Sequence, residues 1–290
     1  MIDRTHTVNT VGDMKQTSQD LSRASDGHGV TTSSDSSASM PAISWGARAW
    51  RLNRPWLTEA VLVVSMYMLY SWTRSAAPDR VALAMGHAAD VESFQRALGL
   101  SFELPLNQLF MRHLWLADFG SYFYQIAHMV VTFGLLIWLW LRRRGLYGHL
   151  RTALAFLWLA GLSTYWIYPL APPRFHLDGA VDSMAAHPVL FAGKESVTGL
   201  ANLYAAMPSL HVGWSTWVAL SLVTVLRSRW RYLVWLYPCT MTFVVMGTAN
   251  HYLMDAVVGA TYATACWLLA RWIYGRQDQR RAARAAVAAG

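Results

Sequence analysis

Charge is what this chain has least of. Of its 290 residues 14% are charged, against about 25% in an ordinary soluble domain. Lysine is almost missing: of 24 basic residues only Lys15 and Lys194 are lysines, leaving 22 arginines. Cysteine is confined to Cys239 and Cys266, both inside apolar runs. That excludes a disulfide framework or a CxxC metal motif and leaves both as packing residues. The nucleophile-elbow sequence G-x-S-x-G is absent, and no internal repeat is visible. What is abundant is apolar and aromatic surface, with 54% hydrophobic residues, 15 tryptophans and 13 tyrosines. Such a composition excludes a disordered chain and suits a protein that meets lipid.

Residues 1–44 are rich in Ser, Thr, Asp and Gly without periodicity and read as a disordered tail. They lack the pattern of a secretory signal. From Trp45 the chain alternates apolar runs with short polar connectors. Six runs, near 57–74, 120–141, 152–171, 208–226, 231–249 and 251–271, approach the roughly 20 residues that cross about 30 Å of hydrocarbon. The expected fold is all-α: a six-helix transmembrane bundle over 45–275, with a basic tail over 276–290. The outer loop 75–119, with Phe94, Leu98, Leu106, Leu109 and Phe110, is expected to form short interfacial helices.

The net charge of +8 raises the question of nucleic acid, which requires a clustered basic face on a soluble module. The arginines are arranged otherwise. Arg48, Arg51 and Arg54, then Arg142, Arg143, Arg144 and Arg151, then Arg227, Arg229 and Arg231, and finally Arg271, Arg276, Arg280, Arg281 and Arg284 all fall on one side of six crossings. The positive-inside rule makes that side cytoplasmic. Both termini are then cytoplasmic, loops 75–119 and 172–207 face outward, and no nucleic-acid partner is implied. The arginine bias and the missing disulfides suit a bacterial inner membrane.

Three polar clusters fall at the outer surface. Arg174, in Ala171-Pro172-Pro173-Arg174-Phe175, offers a guanidinium fork to a phosphate or snorkels to lipid headgroups. Ala206-Met207-Pro208-Ser209-Leu210-His211 opens the fourth run, where free N–H groups favour an anion. Ser209 adds a hydroxyl there, or simply caps the helix. His251 and Asp255 open the sixth run at i,i+4 spacing. The carboxylate can fix one imidazole nitrogen and leave the other to attack. Together these residues describe phosphoryl transfer, with no cofactor expected. His251 is the nucleophile, Asp255 its orienting partner and His211 the acid/base, while Arg174 and Ser209 hold the charged oxygens.

Pro208-Ser209-Leu210-His211 and His251-x-x-x-Asp255 resemble the second and third signature motifs of the type 2 phosphatidic acid phosphatase superfamily. Its members are six-helix, metal-independent enzymes working through phosphohistidine. Ala-Pro-Pro-Arg-Phe, Ala-Met-Pro-Ser-Leu-His-Val-Gly-Trp and Asn-His-Tyr-Leu-Met-Asp are similar to the branch that includes inositol phosphorylceramide synthase. The resemblance covers about 120–271 and implies the same roles for His251, His211, Asp255 and Arg174. This chain lacks the superfamily's Lys before the first-motif Arg, and has Val245 where an Arg precedes the nucleophile. Lys194 and His128 are the candidates to complete the phosphate clamp, His128 being otherwise a satisfied core histidine. A lipid phosphatase is the first reading and a phosphotransferase moving an inositol phosphate type headgroup to a lipid or polyol hydroxyl the second. A two-histidine, one-carboxylate metal hydrolase, a Ser209 protease and a transporter are the remaining alternatives; oligomeric state is not encoded legibly.

Overall fold

The computed structural model describes residues 57–69, 72, 80–186 and 203–289. Lys194 and the tail over 1–44 lie outside the described residues. Among those described, every regular element is helical, and the one β-feature is an isolated parallel bridge between Leu170 and Ala205. The helices are α1 (Leu57–Leu69), α2 (Val81–Ala97), α3 (Glu103–Arg112), α4 (Leu114–Tyr122), α5 (His128–Arg142), α6 (Arg144–Ile167), α7 (Pro173–His176), α8 (Ser183–Ala186), α9 (Leu210–Val225), α10 (Leu236–Gly247) and α11 (Leu253–Ala289). A π-turn, Phe123–Ala127, fuses α4 to α5, and a 3₁₀ segment, Arg229–Trp235, leads into α10.

Each apolar run contains a helix, with boundaries set by local chemistry. α6 stops at Ile167 because Pro169, Pro172 and Pro173 follow, and proline neither donates nor lets its predecessor stay helical. The second run starts earlier than its hydropathy implies, giving a continuous apolar stretch Leu114–Arg142. That stretch and Leu253–Val287 are long and apolar enough to cross a membrane, whereas Leu57–Leu69 and Leu210–Val225 are shorter apolar helices. The boundary expected at 275/276 falls inside α11, which runs unbroken to Ala289. The alanines and arginines of its last turns are strong helix formers.

The core is shared by α5, α6, α9 and α11, where Leu139, Leu150, Leu157, Trp214, Trp217 and Ala263 are buried together. The Trp217 indole donates to the Leu150 carbonyl at 2.9 Å, which satisfies that buried N–H. α9 and α11 approach at Gly213 and Gly259: a Cβ on Gly213 would lie 3.2 Å from the Gly259 carbonyl oxygen. Small residues at such a crossing let the backbones meet.

α2 and α3 fold over the same end of the molecule, around the left-handed turn at Gly99 (φ 72°). The Ala171 N–H donates to Ala84 at 3.1 Å, and the His87 ring stacks on Tyr168 at 3.9 Å while Nδ1 bonds the Pro169 carbonyl. The segment before α9 is stitched alongside: Leu170 N–H to Tyr204 O at 2.8 Å and Ala206 N–H to Leu170 O at 3.1 Å. The ends of α6, α9, α10 and α11 are thereby gathered with the loops that carry the polar residues.

Candidate active site

His251 lies in the turn between α10 and α11, two residues before the helix begins, not on the helix itself as its i,i+4 relation to Asp255 implied. The turn is made by Ala249 in the left-handed region (φ 54°), a position glycine usually takes at a helix end. It folds the Asn250 and His251 N–H groups back onto the Val245 carbonyl at 3.0 and 3.1 Å. His251 is 5% exposed. Its Nδ1 lies 2.8 Å from the Ala206 carbonyl oxygen and 3.4 Å from Asp255 Oδ2. Both neighbours accept, so Nδ1 carries the proton and Nε2 is the nitrogen with a lone pair.

Asp255 reaches His251 because it acts as a cap. It is fully buried, and Oδ2 accepts the Tyr252 N–H at 2.9 Å, which turns the carboxylate back over the helix start. Its main-chain carbonyl accepts the Ser209 N–H at 2.9 Å. One residue therefore orients the imidazole and straps α9 to α11.

On the α9 side, Ser209 is the N-cap, preceded by the cis bond Met207–Pro208. Pro208 thus precedes the cap, outside the first helical turn where proline is usual. The Ser209 side chain is buried, and its Oγ accepts the Val212 N–H at 3.5 Å. His211 sits in the first turn with its ring centroid 6.0 Å from that of His251. Tyr124 stacks on His211 at 3.9 Å, and His128 meets it edge-on at 4.3 Å. His128 Nδ1 is 2.8 Å from the Tyr124 carbonyl. Tyr124 lies within the π-turn and His128 directly follows it, and π-bulges occur often at functional sites.

Arg174 stands at the first turn after Pro172 and Pro173. Its main-chain N–H donates to Ala249 O at 3.1 Å, Nη1 donates to Asn250 Oδ1, and Nε lies 3.2 Å from Asp182 Oδ2. Asn250 in turn donates to Thr248 Oγ1 at 2.8 Å. The guanidinium is thus tied to the residue adjoining His251, with its side chain 11% exposed. Asn107, fully buried, holds the Asp182 segment: Nδ2 donates to the Val181 and Gly247 carbonyls and Oδ1 accepts the Val181 N–H at 2.8 Å.

His251, Asp255, His211, Ser209 and His128 come together through these contacts, and Arg174 joins them through Asn250. Asn250, Tyr124 and Asn107, which hold Arg174, His211 and the Asp182 segment, carry no signal in the sequence.

Fold and site together define an all-helical protein with a paired-histidine centre at adjoining helix ends. Residues 89–269 match the PAP2 superfamily, more than half of the chain, and the chain belongs to that superfamily. It is 31% identical over 185 residues to phosphoinositol dihydroceramide synthase of Bacteroides thetaiotaomicron, covering 57% of this chain and 59% of that one. It is 32% identical over 113 residues to inositol phosphorylceramide synthase catalytic subunit aur1 of Schizosaccharomyces pombe, covering 36% of this chain and 25% of that one. The aligned regions span about three fifths and a quarter of those relatives' own lengths. No solved structure matches the chain.

Proposed function

We propose that this protein is a membrane phosphotransferase that moves a phospho-headgroup, of inositol phosphate type, from a phosphodiester lipid to a lipid hydroxyl. The carrying observation is His251, whose Nδ1 is held by the Ala206 carbonyl and Asp255 while His211 stands 6.0 Å away between ring centroids. Nε2 attacks phosphorus, the N–P bond forms and the P–O bond to the donor lipid breaks, and protonated His211 supplies the leaving oxygen's proton. Neutral His211 then takes the proton of the incoming hydroxyl, whose oxygen displaces His251. Arg174 and the first amides of α9 face the anionic oxygens. His128 lines the same side through its contact with His211. Transfer is preferred to the lipid phosphatase reading because the two relatives are named as synthases, of phosphoinositol dihydroceramide and of inositol phosphorylceramide.

The same proposal takes α1, Leu114–Arg142, α6, α9, 229–247 and α11 as six crossings, with both termini cytoplasmic and the site on the outer face. Supporting this, Arg151 pairs with Glu59, and the Thr152 hydroxyl lies 3.2 Å from Tyr274 Oη. These contacts join the ends of α1, α6 and α11 that carry the arginine groups. The test supplies a donor labelled on phosphorus to purified enzyme and quenches in alkali. Label on His251 that is chased into a lipid product by a hydroxylated lipid supports the proposal, and His251→Ala abolishes both steps. Release of phosphate irrespective of the acceptor returns the phosphatase reading, and turnover that never labels His251 refutes the mechanism.

A further inference from the structure

The N-terminus of α11 is closed by residues about 150 positions away. Glu103, at the start of α3, is 2% exposed, and its Oε1 accepts the Leu253 N–H at 2.8 Å and the Gln95 Nε2–H at 2.7 Å. Gln95, near the end of α2 and 1% exposed, accepts the Met254 N–H on Oε1 at 2.8 Å. With Asp255 taking the Tyr252 N–H, three successive amides at this helix start have side-chain acceptors. Helix starts left without partners are costly when buried. Here two acceptors come from outer helices that contribute no side chain to the histidine pair.

The Glu103 carboxylate also lies in the first turn of its own helix, α3. It therefore receives the positive ends of two helix dipoles. Because Leu253 and Met254 follow His251 by two and three residues, their amides fix where the chain leaves the nucleophile's turn. A free helix start would compete for the substrate's phosphate. Capping all three amides directs the anion instead to α9, beside His211.

We infer that Gln95 and Glu103 are positioning residues for the nucleophile: their buried pair holds the first amides of α11 and thereby the aim of His251 Nε2. For its catalytic consequence this rests on the phosphohistidine reading. Glu103→Gln keeps an acceptor oxygen for both donors and removes the charge alone, whereas Glu103→Ala and Gln95→Ala remove the acceptors. In Glu103→Ala kcat falls about 10- to 100-fold, as misplacement of a reacting group by about 1 Å does, while KM for the donor changes less than about twofold. Gln95→Ala follows in the same direction, and Glu103→Gln restores most of kcat.

The second readout is the rate at which diethyl pyrocarbonate modifies His251, followed by mass spectrometry in the full-length protein. It rises several-fold in both alanine variants and returns toward wild type in Glu103→Gln. Wild-type kcat and wild-type His251 reactivity in folded alanine variants would overturn the inference. So would a Glu103→Gln variant as inactive as Glu103→Ala, since charge rather than position would then be responsible. If Glu103→Ala does not fold, Gln95→Ala and Glu103→Gln carry the comparison. Should the wild type turn over without labelling His251, the mechanism falls, while the modification rates still decide the positioning.

Discussion

Gly259 is the most exacting test of how the two histidines are brought together. The Ser209 N–H bonds the Asp255 carbonyl at 2.9 Å, which draws the cap of α9 onto the first turn of α11. A Cβ added to Gly259 would penetrate the Ser209 carbonyl oxygen, and would stand 3.1 Å from its carbon and 3.4 Å from the Gly213 nitrogen. All three are main-chain atoms, so no side-chain rotation relieves the clash. Ordinary contact is restored only if α9 retreats by about 1 Å, an overpacking that costs about 1–3 kcal/mol. The retreat carries Ser209 and His211 away from His251 and Asp255. A displacement of that size in a reacting pair lowers rate about 100-fold. Gly259→Ala is therefore expected to lower the melting midpoint modestly and, for the proposed transfer reaction, the rate severely. Gly134→Ala is the matched control, because a Cβ there meets nothing within 4 Å and alanine favours a helix interior. The assay is headgroup transfer in detergent alongside a thermal melt of each variant. A folded Gly259→Ala enzyme with wild-type rate would refute the argument that backbone proximity of α9 and α11 sets the site.

Asn250→Ala removes the partner of Arg174 Nη1 and leaves the contact of Nε with Asp182; for the proposed transfer reaction, KM for the phosphodiester donor is expected to rise about tenfold, the value of roughly one charge-assisted hydrogen bond, with a smaller change in kcat, as steady-state kinetics will show. At the other end of α6, His149 is half-buried, and its burial, then the nearby Arg271 charge, hold its pKa below the usual histidine range. A depressed pKa gives stability that is present above the unfolded value and fades as pH falls below about 6.5. His149→Gln should flatten the acid side of a melting-midpoint profile, and an unchanged slope there would refute the assignment.

The parts of the site that sequence makes legible are those written within a few residues. Pro208-Ser209-Leu210-His211 marks a helix start, and His251 with Asp255 marks a pair, because capping and short-range geometry are local. The same locality misplaces His251 on a helix: the left-handed Ala249 and the cap formed by Asp255 end the turn only at Leu253, and alanine gives no hint of a positive φ. Gln95, Glu103 and Asn107 are illegible for the opposite reason. Their partners lie on other helices, at Leu253, Met254, Val181 and Gly247, so each reads as an ordinary polar residue in an amphipathic stretch. The helical content is legible from apolar runs, whereas the π-turn is not, since its extra residue leaves no compositional trace.

The proton on His251 is placed by a main-chain atom, the carbonyl of Ala206. No side-chain replacement at 206 deletes that oxygen, so a mutational scan would score this position by bulk alone and overlook its chemistry. The oxygen answers instead to the path of the strand-like segment around it, which is registered against Leu170. Changes that slide that register, by insertion or deletion of one residue in 203–207, would withdraw this carbonyl and leave Asp255 as the acceptor beside Nδ1. The length of this segment is thus constrained as well as its side chains, of which Ala206 is buried and Tyr204 and Met207 pack against the same cluster.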